Sequence, residues 1–264
     1  MQLHQDAPRL AMPDRAESVA RMKIDRATWA GRAFAKYDRA AVMKVARAVA
    51  EAAHQAAGQF AEAAVAETGM GVVAHKKLKN ELSAHPLVDF YENQDLVNPK
   101  VDEARKLVAL PKPAGVVFAL TPATNPVSTL YYKAILAVLS RNAVIFSPHP
   151  LAKACCNEAA SRLEAAAVAA GAPAGLIQCI EEPSVPLVQA LMASNKVQVI
   201  LATGGGPMVR AAYSSGNPAI GVGPGNAPVY IDPDTDQNAA AKRLLDSKSF
   251  DNSVLCTNES VLIS

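Results

Sequence analysis

The 264-residue chain has few of the features that mark membrane, secreted or nucleic-acid-binding proteins. No apolar run approaches the length of about 18 residues that a bilayer span needs, and Met1–Met12 lacks the basic start and apolar run of a secretory signal. Lys and Arg (26) barely exceed Asp and Glu (24), and no basic run interleaves with aromatic residues. These absences favour a cytoplasmic globular protein that acts on small molecules, with neither nucleic acid nor a membrane as partner.

Cysteine is also scarce, with four residues that form no CxxC pair and no Cys/His cluster at zinc spacing. We therefore expect free thiols and no metal site. Cys155, Cys156 and Cys179 lie in apolar periodic runs, which is typical of packing. Cys256 instead lies among polar residues in FDNSVLCTNES, and this setting makes it the candidate nucleophile.

Hydrophobic residues make up 50% of the chain, enough for a sizeable core. From Asp14 to about Gln94 the sequence is Ala-rich with helical periodicity, which predicts two or three long helices. The glycines of ETGMG (67–71) should end this run, because glycine supplies the left-handed geometry of a helix C-cap. We predict one further helix over about 73–93.

After Pro99 the pattern changes to short β-rich runs that alternate with helical segments. KLVALPKPAGVVFALTP predicts a protruding strand-turn-strand unit near 104–118. The segments that follow are VVFAL, a helix over about 127–139, AVIFS, a helix over about 153–170, LIQCI, a helix over about 186–192, and VQVILAT. This order predicts the α/β class: a Rossmann-like parallel sheet with helices on both faces, preceded by the long N-terminal helices.

The last third predicts a helix over about 208–214, a strand-turn-strand in AIGVGPGNAPVYID, a helix over about 237–248 and a strand in SVLIS. SVLIS is expected to be a buried strand with nothing after it to pair its edges. An unpaired apolar strand is an aggregation hazard, so we expect that the chain continues beyond Ser264 or that a partner completes it.

Three loops could carry chemistry. In Thr121-Pro-Ala-Thr-Asn125-Pro, the flanking prolines could hold the Asn125 amide as an oxyanion donor; alternatively, Thr124 or Asn125 caps the next helix. Thr203-Gly-Gly-Gly-Pro207 enters a helix and could bind a pyrophosphate, although an ordinary strand-to-helix turn has the same pattern. The glycines of Gly221–Asn226 permit either a close approach to a ligand or a sharp chain reversal.

Six segments in order resemble the CoA-acylating aldehyde dehydrogenases, including the N-terminal half of bifunctional aldehyde-alcohol dehydrogenases. They are AETGMG, TPATNPVST, RNAVIFSPHPLAK, VAAGAPAGLIQCIEEPS, ILATGGGPMVRAAYSSGNPAIGVGPGN and SKSFDNSVLC. The resemblance implies an aldehyde dehydrogenase-like fold, with N-terminal helices and a dinucleotide-binding domain in 1–228. The start of an incomplete catalytic domain would lie in 229–264, since family members are considerably longer.

The resemblance also implies residue roles. Cys256 would be the nucleophile, and Asn125, with the Cys256 backbone N–H, would hold the oxyanion. The implied coenzyme-binding residues are Thr121, Pro122, Ser147, His149, Pro150, Thr203, Gly204, Gly205, Gly206, Val222 and Gly223. SPHP contains no Arg or Lys that could bind the 2′-phosphate of NADP, and this favours NAD as the coenzyme. Family members form homodimers or homotetramers.

Val222 decides the expected acyl acceptor. Hydrolytic aldehyde dehydrogenases carry a glutamate at the corresponding place, which activates water against the thioacyl enzyme. Without that carboxylate, coenzyme A becomes the expected acceptor. Differences from related acylating enzymes include Ser253, where they usually have Gly, and CTNES, where they have CASEQ. These differences leave acetaldehyde, propionaldehyde and sulfoacetaldehyde open as substrates. The alternatives are a hydrolytic aldehyde dehydrogenase and, if the natural chain ends at 264, a nucleotide-binding module without turnover.

Overall fold

The computed structural model describes residues 15–263. Met1–Met12, Asp14 and Ser264, on which some of the expectations above fall, lie outside the described residues. Within the described range, no helix is long and apolar enough to cross a membrane.

Three helices precede the ETGMG glycines, as predicted. They are α1 (Arg15–Phe34), α2 (Arg39–Gln55) and α3 (Ala57–Thr68). The apolar face expected for α2 is buried, including Val42 and Val49. Helix α3 ends at Gly69, whose φ of 67° is the left-handed C-cap conformation, and its N–H donates to the Val65 carbonyl at 2.8 Å. The glycines therefore end the helix for the physical reason anticipated.

The single helix expected over 73–93 is wrong, because the structure has two: α4 (Val73–Leu82) and α5 (His85–Glu92). The chain leaves the helical conformation at Ala84, with φ −107° and ψ −108°. Pro86 has no N–H to donate to the Leu82 carbonyl, so a continuous helix would lose a hydrogen bond at this point. Proline is tolerated in the first turn of α5, which is where it lies.

A five-stranded parallel sheet forms the core, in the order β5-β4-β3-β6-β7. Its strands are β3 (Val116–Thr121), β4 (Ala143–Pro148), β5 (Ile177–Cys179), β6 (Val199–Thr203) and β7 (Ala219–Val222). The helices that connect them are α6 (Pro126–Leu139), α7 (Lys153–Ala169), α8 (Val185–Ala193) and α9 (Gly206–Tyr213). The largest fully buried side chains include Phe118, Tyr131 and Phe146.

The strand order determines which face each helix covers. The sheet grows from β3 through β4 to β5, and the chain then returns to the other side of β3 to form β6 and β7. Because parallel crossovers are right-handed, this reversal of direction puts α6 and α7 on one face and α8 and α9 on the other. Helices α2 and α3 pack on the α6–α7 side, whereas α1 packs with α8. The predicted α/β sheet with helices on both faces is thus confirmed.

The strand-turn-strand unit near 104–118 is paired differently from our expectation. Strand β2 (Leu107–Ala109) pairs antiparallel with β1 (Lys100–Asp102), and 116–121 is instead the central strand of the main sheet. Pro111 and Pro113 cannot donate ladder hydrogen bonds, so they separate β2 from β3. The Asp102 carboxylate accepts from the Arg105 N–H at 2.9 Å and stabilises the hairpin turn.

The strand-turn-strand expected in AIGVGPGNAPVYID is divided between two sheets. Strand β7 ends the main sheet, whereas β8 (Ala227–Tyr230) pairs in parallel with β9 (Glu259–Ile263). Helix α10 (Gln237–Ser249) connects β8 to β9. The expectation that 260–264 forms a buried, unpaired strand is wrong for its described part, because β9 is paired and Leu262 is 54% exposed.

A buried lysine joins the two strands at the point where the strand order reverses. Lys133 on α6 is 7% exposed, and its Nζ donates to the carbonyls of Leu120 (2.7 Å) and Leu201 (2.9 Å). These carbonyls lie near the ends of β3 and β6, respectively. Burial lowers the pKa of Lys133 to about 7.

We expect Lys133 to make stability depend on pH. Between about pH 7 and the ordinary lysine pKa, the unfolded chain binds more protons than the folded chain, so the free energy of unfolding rises with pH. The rise attributable to Lys133 is about 2 kcal/mol from about pH 7 to about pH 9. Urea unfolding across this range measures it. Lys133→Met should flatten the rise, whereas the same substitution at exposed Lys36 should not; equal slopes in both variants would contradict the assignment.

Candidate active site

The carboxyl ends of β3, β4, β6 and β7 lie at one edge of the sheet because the strands are parallel. Open α/β sheets bind ligands at this edge, beside the point where the strand order reverses. The three candidate loops of the sequence analysis all begin here, together with the SPHP segment. The fold therefore brings the predicted coenzyme residues to one edge.

The two predicted glycine loops are in direct contact. Thr203 and Val222 are register partners in β6 and β7, and the Gly204 N–H donates to the Val222 carbonyl at 3.1 Å. Helix α9 begins immediately afterwards, with Gly205 at its N-cap. A Cβ at Gly204 or Gly223 would meet no atom within 4 Å. Open backbone at a helix N-terminus is the arrangement that accommodates a phosphate group.

The candidate residues of β3 and β4 fall into two groups. Thr121 and Ser147 are buried, and the Thr121 hydroxyl lies 3.7 Å from Cys156 Sγ, so only their main chains could face a coenzyme. His149 and Pro150 are exposed, while Pro122 is half-buried. The His149 N–H donates to the Thr121 carbonyl at 3.1 Å, and the ring Nδ1 accepts from the Leu151 N–H at 3.2 Å.

Cys256 is the exposed cysteine of the four, and the other three are buried as predicted. Burial raises the pKa of the Cys179 thiol to about 12. The hydrogen bond with Cys156, followed by burial, raises the pKa of the Cys155 thiol far above its ordinary value. A thiol must ionise and be reached to act as a nucleophile, so Cys256 is the thiol best suited to this chemistry.

Cys256 lies in a loop of unusual backbone, residues 250–258, which we call the nucleophile loop. Asp251, Asn252 and Ser253 all have left-handed conformations, with φ of 51°, 55° and 60°. Asp and Asn tolerate this region better than most residues, and glycine best of all. The glycine that the resemblance leads us to expect at position 253 would adopt this conformation with less strain than serine.

Asp251 fastens the nucleophile loop to the start of α4. Its side chain is fully buried and accepts from the Val72 N–H at 2.7 Å and from Lys76 Nζ at 3.1 Å. Lys79 Nζ makes a further ion pair with the same carboxylate. The Asp251 N–H donates to Nδ1 of His75 at 2.9 Å, and the His75 ring stacks on Phe250 at 4.3 Å.

The charges of this cluster are mutually stabilised. Burial alone would raise the pKa of Asp251, but hydrogen bonds from Lys79 and the Val72 N–H, with the nearby lysine charges, hold it below its ordinary value. Burial also lowers the pKa of Lys79, and Asp251 offsets this only in part. Gly71 makes room for the carboxylate, because a Cβ there would overlap Asp251 Oδ1.

Asn258 holds the other end of the nucleophile loop. Its Oδ1 accepts from the Leu255 N–H at 2.8 Å, and its Nδ2 donates to the Ser247 carbonyl on α10 at 2.7 Å. Cys256 thus lies between two anchored residues, Asp251 and Asn258, with its own side chain exposed.

Asn125 is in contact with this loop. Its Nδ2 donates to the Val254 carbonyl at 3.1 Å and to Thr124 Oγ1 at 3.2 Å, and its Oδ1 accepts from Lys79 Nζ. Asn125 occupies the N-cap position of α6, but neither its side chain nor that of Thr124 makes a capping hydrogen bond. The alternative interpretation, in which this loop merely caps the helix, is therefore wrong.

A third loop lies against the main chain of Cys256. A Cβ at Gly225 would overlap the Cys256 carbonyl oxygen and approach its Cα to 3.2 Å. Only glycine allows so close an approach. The Gly221–Asn226 loop consequently links β7 to the nucleophile loop.

A model of the aldehyde dehydrogenase family matches residues 6–263 of this sequence. The chain belongs to the aldehyde dehydrogenase family. The bifunctional aldehyde-alcohol dehydrogenase of Escherichia coli is 43% identical over 241 residues, which are 91% of this chain and 27% of that protein. These findings confirm the resemblance drawn from the six sequence segments.

Comparison with solved structures identifies relatives of the same family. An acetylating aldehyde dehydrogenase from Geobacillus thermoglucosidasius matches with a TM-score of 0.90 at 40% identity, over 94% of this chain and 55% of that chain. Rhodopseudomonas palustris propionaldehyde dehydrogenase with bound propionyl-CoA matches with a TM-score of 0.82 at 29% identity, over 92% and 54% of the two chains. The chain thus spans about half the length of these solved relatives.

The sequence pattern alone does not identify several residues of this candidate site. Lys76 and Lys79 lie in a charged run, VAHKKLKN, that resembles a solvated helix face. In the sequence, Asp251 is simply one of the polar residues of FDNSVLCTNES around Cys256. The available signal was the pair of glycines in ETGMG, since the second of them makes room for the Asp251 carboxylate.

The carboxylate of Glu67, in the ETGMG motif, reaches the segment that follows β4. Glu67 accepts from the N–H groups of Ala154 and Cys155 at 2.7 and 2.8 Å. These groups belong to the first turn of α7, which begins at Lys153, three residues after the SPHP segment ends. The ETGMG motif therefore contacts both the start of α7, after the SPHP segment, and the nucleophile loop.

Proposed function

We propose that the natural protein is an acylating oxidoreductase that converts an aldehyde, coenzyme A and NAD(P)+ to acyl-CoA and NAD(P)H. The observation that carries the proposal is the placement of exposed Cys256 in a loop that contacts the Asn125 amide. The chain spans part of the length of its relatives, so the complete reaction is proposed for the protein at its natural length.

The proposed reaction begins at Cys256. Its thiolate forms a bond with the aldehyde carbon, and the carbonyl oxygen becomes an oxyanion. Asn125 Nδ2 and the Cys256 N–H donate to that oxygen. In the present arrangement Nδ2 already donates to Val254 and Thr124, so an oxyanion would replace the longer bond, to the Thr124 hydroxyl. Such fixed donors are worth about 10²- to 10³-fold in rate.

The thiohemiacetal then becomes a thioester on Cys256. The C–H bond breaks, and the electron pair of the oxyanion restores the carbonyl. Bound NAD would accept the hydride. The coenzyme would be held by the SPHP segment together with Thr203, Gly204, Gly205 and Gly206. Attack of the coenzyme A sulfur on the thioester carbon forms acyl-CoA and breaks the bond to Cys256, which leaves as a thiolate, while the proton of the coenzyme A thiol passes to solvent.

The choice of NAD as the main coenzyme, with NADP as the alternative, is supported by the charge around SPHP. Lys153 is the basic residue that follows this segment. Its Nζ contacts both carboxylate oxygens of Glu182, at 2.8 and 2.6 Å. The Glu182 carboxylate adds a negative charge beside this lysine, and a like charge disfavours a bound 2′-phosphate.

Val222 supports coenzyme A as the acceptor. It ends β7 with an apolar side chain that is 47% exposed, at the position where hydrolytic family members carry a glutamate. An apolar side chain cannot act as a general base for water. We propose a short-chain aldehyde as substrate: acetaldehyde, propionaldehyde or sulfoacetaldehyde.

We also propose that residues 1–228 form the dinucleotide-binding domain and that residues 229–264 begin the catalytic domain. The pairing of β8 with β9, rather than with the main sheet, supports a division near this point.

Omitting coenzyme A from the assay tests the proposal. At natural length, the protein should form NADH from propionaldehyde in a burst of about one equivalent and then stop, because the thioacyl enzyme accumulates. Adding coenzyme A should restore turnover and give propionyl-CoA, identified by mass spectrometry. Steady NADH formation without coenzyme A, with propionate as product, would instead establish a hydrolytic enzyme.

A further inference from the structure

Lys79 contacts the two elements that the proposed chemistry must keep together. Its ammonium group donates to Asn125 Oδ1, in the loop after β3, and to Asp251 Oδ2, in the nucleophile loop. The lysine side chain is 11% exposed and that of Asp251 is fully buried. A single amino group thus joins the candidate oxyanion donor to the loop of the candidate nucleophile.

We propose that Lys79 is a positioning residue, which orients the Asn125 amide toward the reacting carbonyl and holds the nucleophile loop against it. This inference rests on the proposed function, because it assigns Lys79 a role that acts through Asn125.

The side-chain amide of Asn125 has one end that accepts hydrogen bonds, Oδ1, and one end that donates them, Nδ2. A lysine ammonium can only donate hydrogen bonds, and a backbone carbonyl can only accept them. With Lys79 at one end and the Val254 carbonyl at the other, Asn125 must present Oδ1 to the lysine and Nδ2 to the nucleophile loop. The third partner, the Thr124 hydroxyl, can donate or accept and does not select an orientation.

Lys76 completes the arrangement from the preceding turn of the same helix. Its Nζ donates to the Thr124 carbonyl at 2.7 Å and to Asp251 Oδ2 at 3.1 Å. Lys76 therefore holds the main chain before Asn125, whereas Lys79 holds the Asn125 side chain. Both lysines use Asp251 as their common anion.

The charges allow Lys79 to be removed without leaving an unpaired charge. Two ammonium groups share one carboxylate, so Lys79→Met leaves Asp251 paired with Lys76. Loss of a buried charge is most damaging when its partner is left uncompensated. We therefore expect K79M to fold, and its far-UV circular dichroism and melting temperature should confirm this.

The experiment is a double-mutant cycle on kcat with the protein at its natural length. Asn125→Ala should lower kcat about 10²- to 10³-fold, and K79M about 10- to 100-fold. If Lys79 acts through the amide, the double variant should be no slower than N125A within about threefold, because interacting residues are not additive. Lys79→Arg, which keeps the charge and the donors, should recover most of the activity lost in K79M.

Lys77→Met is the matched control. Lys77 lies on the same helix and is exposed, paired with Glu81 at 3.7 Å, and it should be removable without loss of kcat. If K79M retains the activity of K77M, or if the losses in K79M and N125A multiply in the double variant, the inference is overturned. If K79M does not fold, Lys79→Gln replaces it in the same cycle.

Two variants, N125A and Cys256→Ala, distinguish a wrong reaction from a wrong role for Lys79. Full activity in both N125A and Cys256→Ala would overturn the proposed function, and the inference with it. Activity lost in those two variants but retained in K79M would overturn only the role of Lys79.

Discussion

Replacing Cys256 by alanine should abolish aldehyde oxidation, with a loss of about 10⁴-fold or more in kcat. Cys256 is the exposed thiol of the four, and without it no covalent intermediate can form. The measurement is NADH formation from propionaldehyde and coenzyme A by the protein at its natural length, together with stoichiometric iodoacetamide labelling followed by peptide mapping.

Cys179→Ala is the matched control for this substitution. Cys179 is buried in β5, and burial raises the pKa of its thiol, so its replacement should leave kcat intact. Oxidation that persists in C256A would mean that another group attacks the aldehyde. Activity that disappears equally in both cysteine variants would indicate loss of folding rather than of a nucleophile.

Gly225→Ala should lower kcat about 100-fold, although the substitution adds a single methyl group to a residue without catalytic chemistry. The added Cβ would overlap the Cys256 carbonyl oxygen, and the nucleophile loop is anchored at Asp251 and Asn258, so it cannot simply move aside. A displacement of about 1 Å of a reacting group costs rates of this order. The overlap should also reduce the free energy of unfolding by about 1–3 kcal/mol.

The comparison variant is Gly58→Ala. Gly58 lies in α3, where an added Cβ would meet only the Lys77 side chain at 3.8 Å, an ordinary contact. Since alanine is the better helix former, G58A should unfold at the same or a higher urea concentration and keep its activity. Equal kcat values for G225A and the wild type would show that the close approach to Cys256 does not position the nucleophile.

The sequence pattern predicted those structural features that depend on residues close together in the chain. The glycine after α3 predicted a C-cap, and Gly69 has the left-handed φ that this requires. The alternation of apolar runs and helices predicted the parallel sheet. The pattern failed where the partner of a segment lies elsewhere: 107–109 pairs backward with 100–102, and 227–230 pairs with 259–263. A strand-like sequence pattern does not specify which other strand the segment pairs with.

By itself, the sequence determined the family, the α/β class and the identity of Cys256 and Asn125 as candidates, because these depend on residue types in a fixed order. Only the tertiary structure decided what holds them. Asp251 and Lys79 are 172 residues apart along the chain, and Asn125 and Val254 are 129 apart. Contacts between such distant residues leave no periodicity or spacing in the sequence, since they arise only when α4, the loop after β3 and the nucleophile loop pack together in the fold.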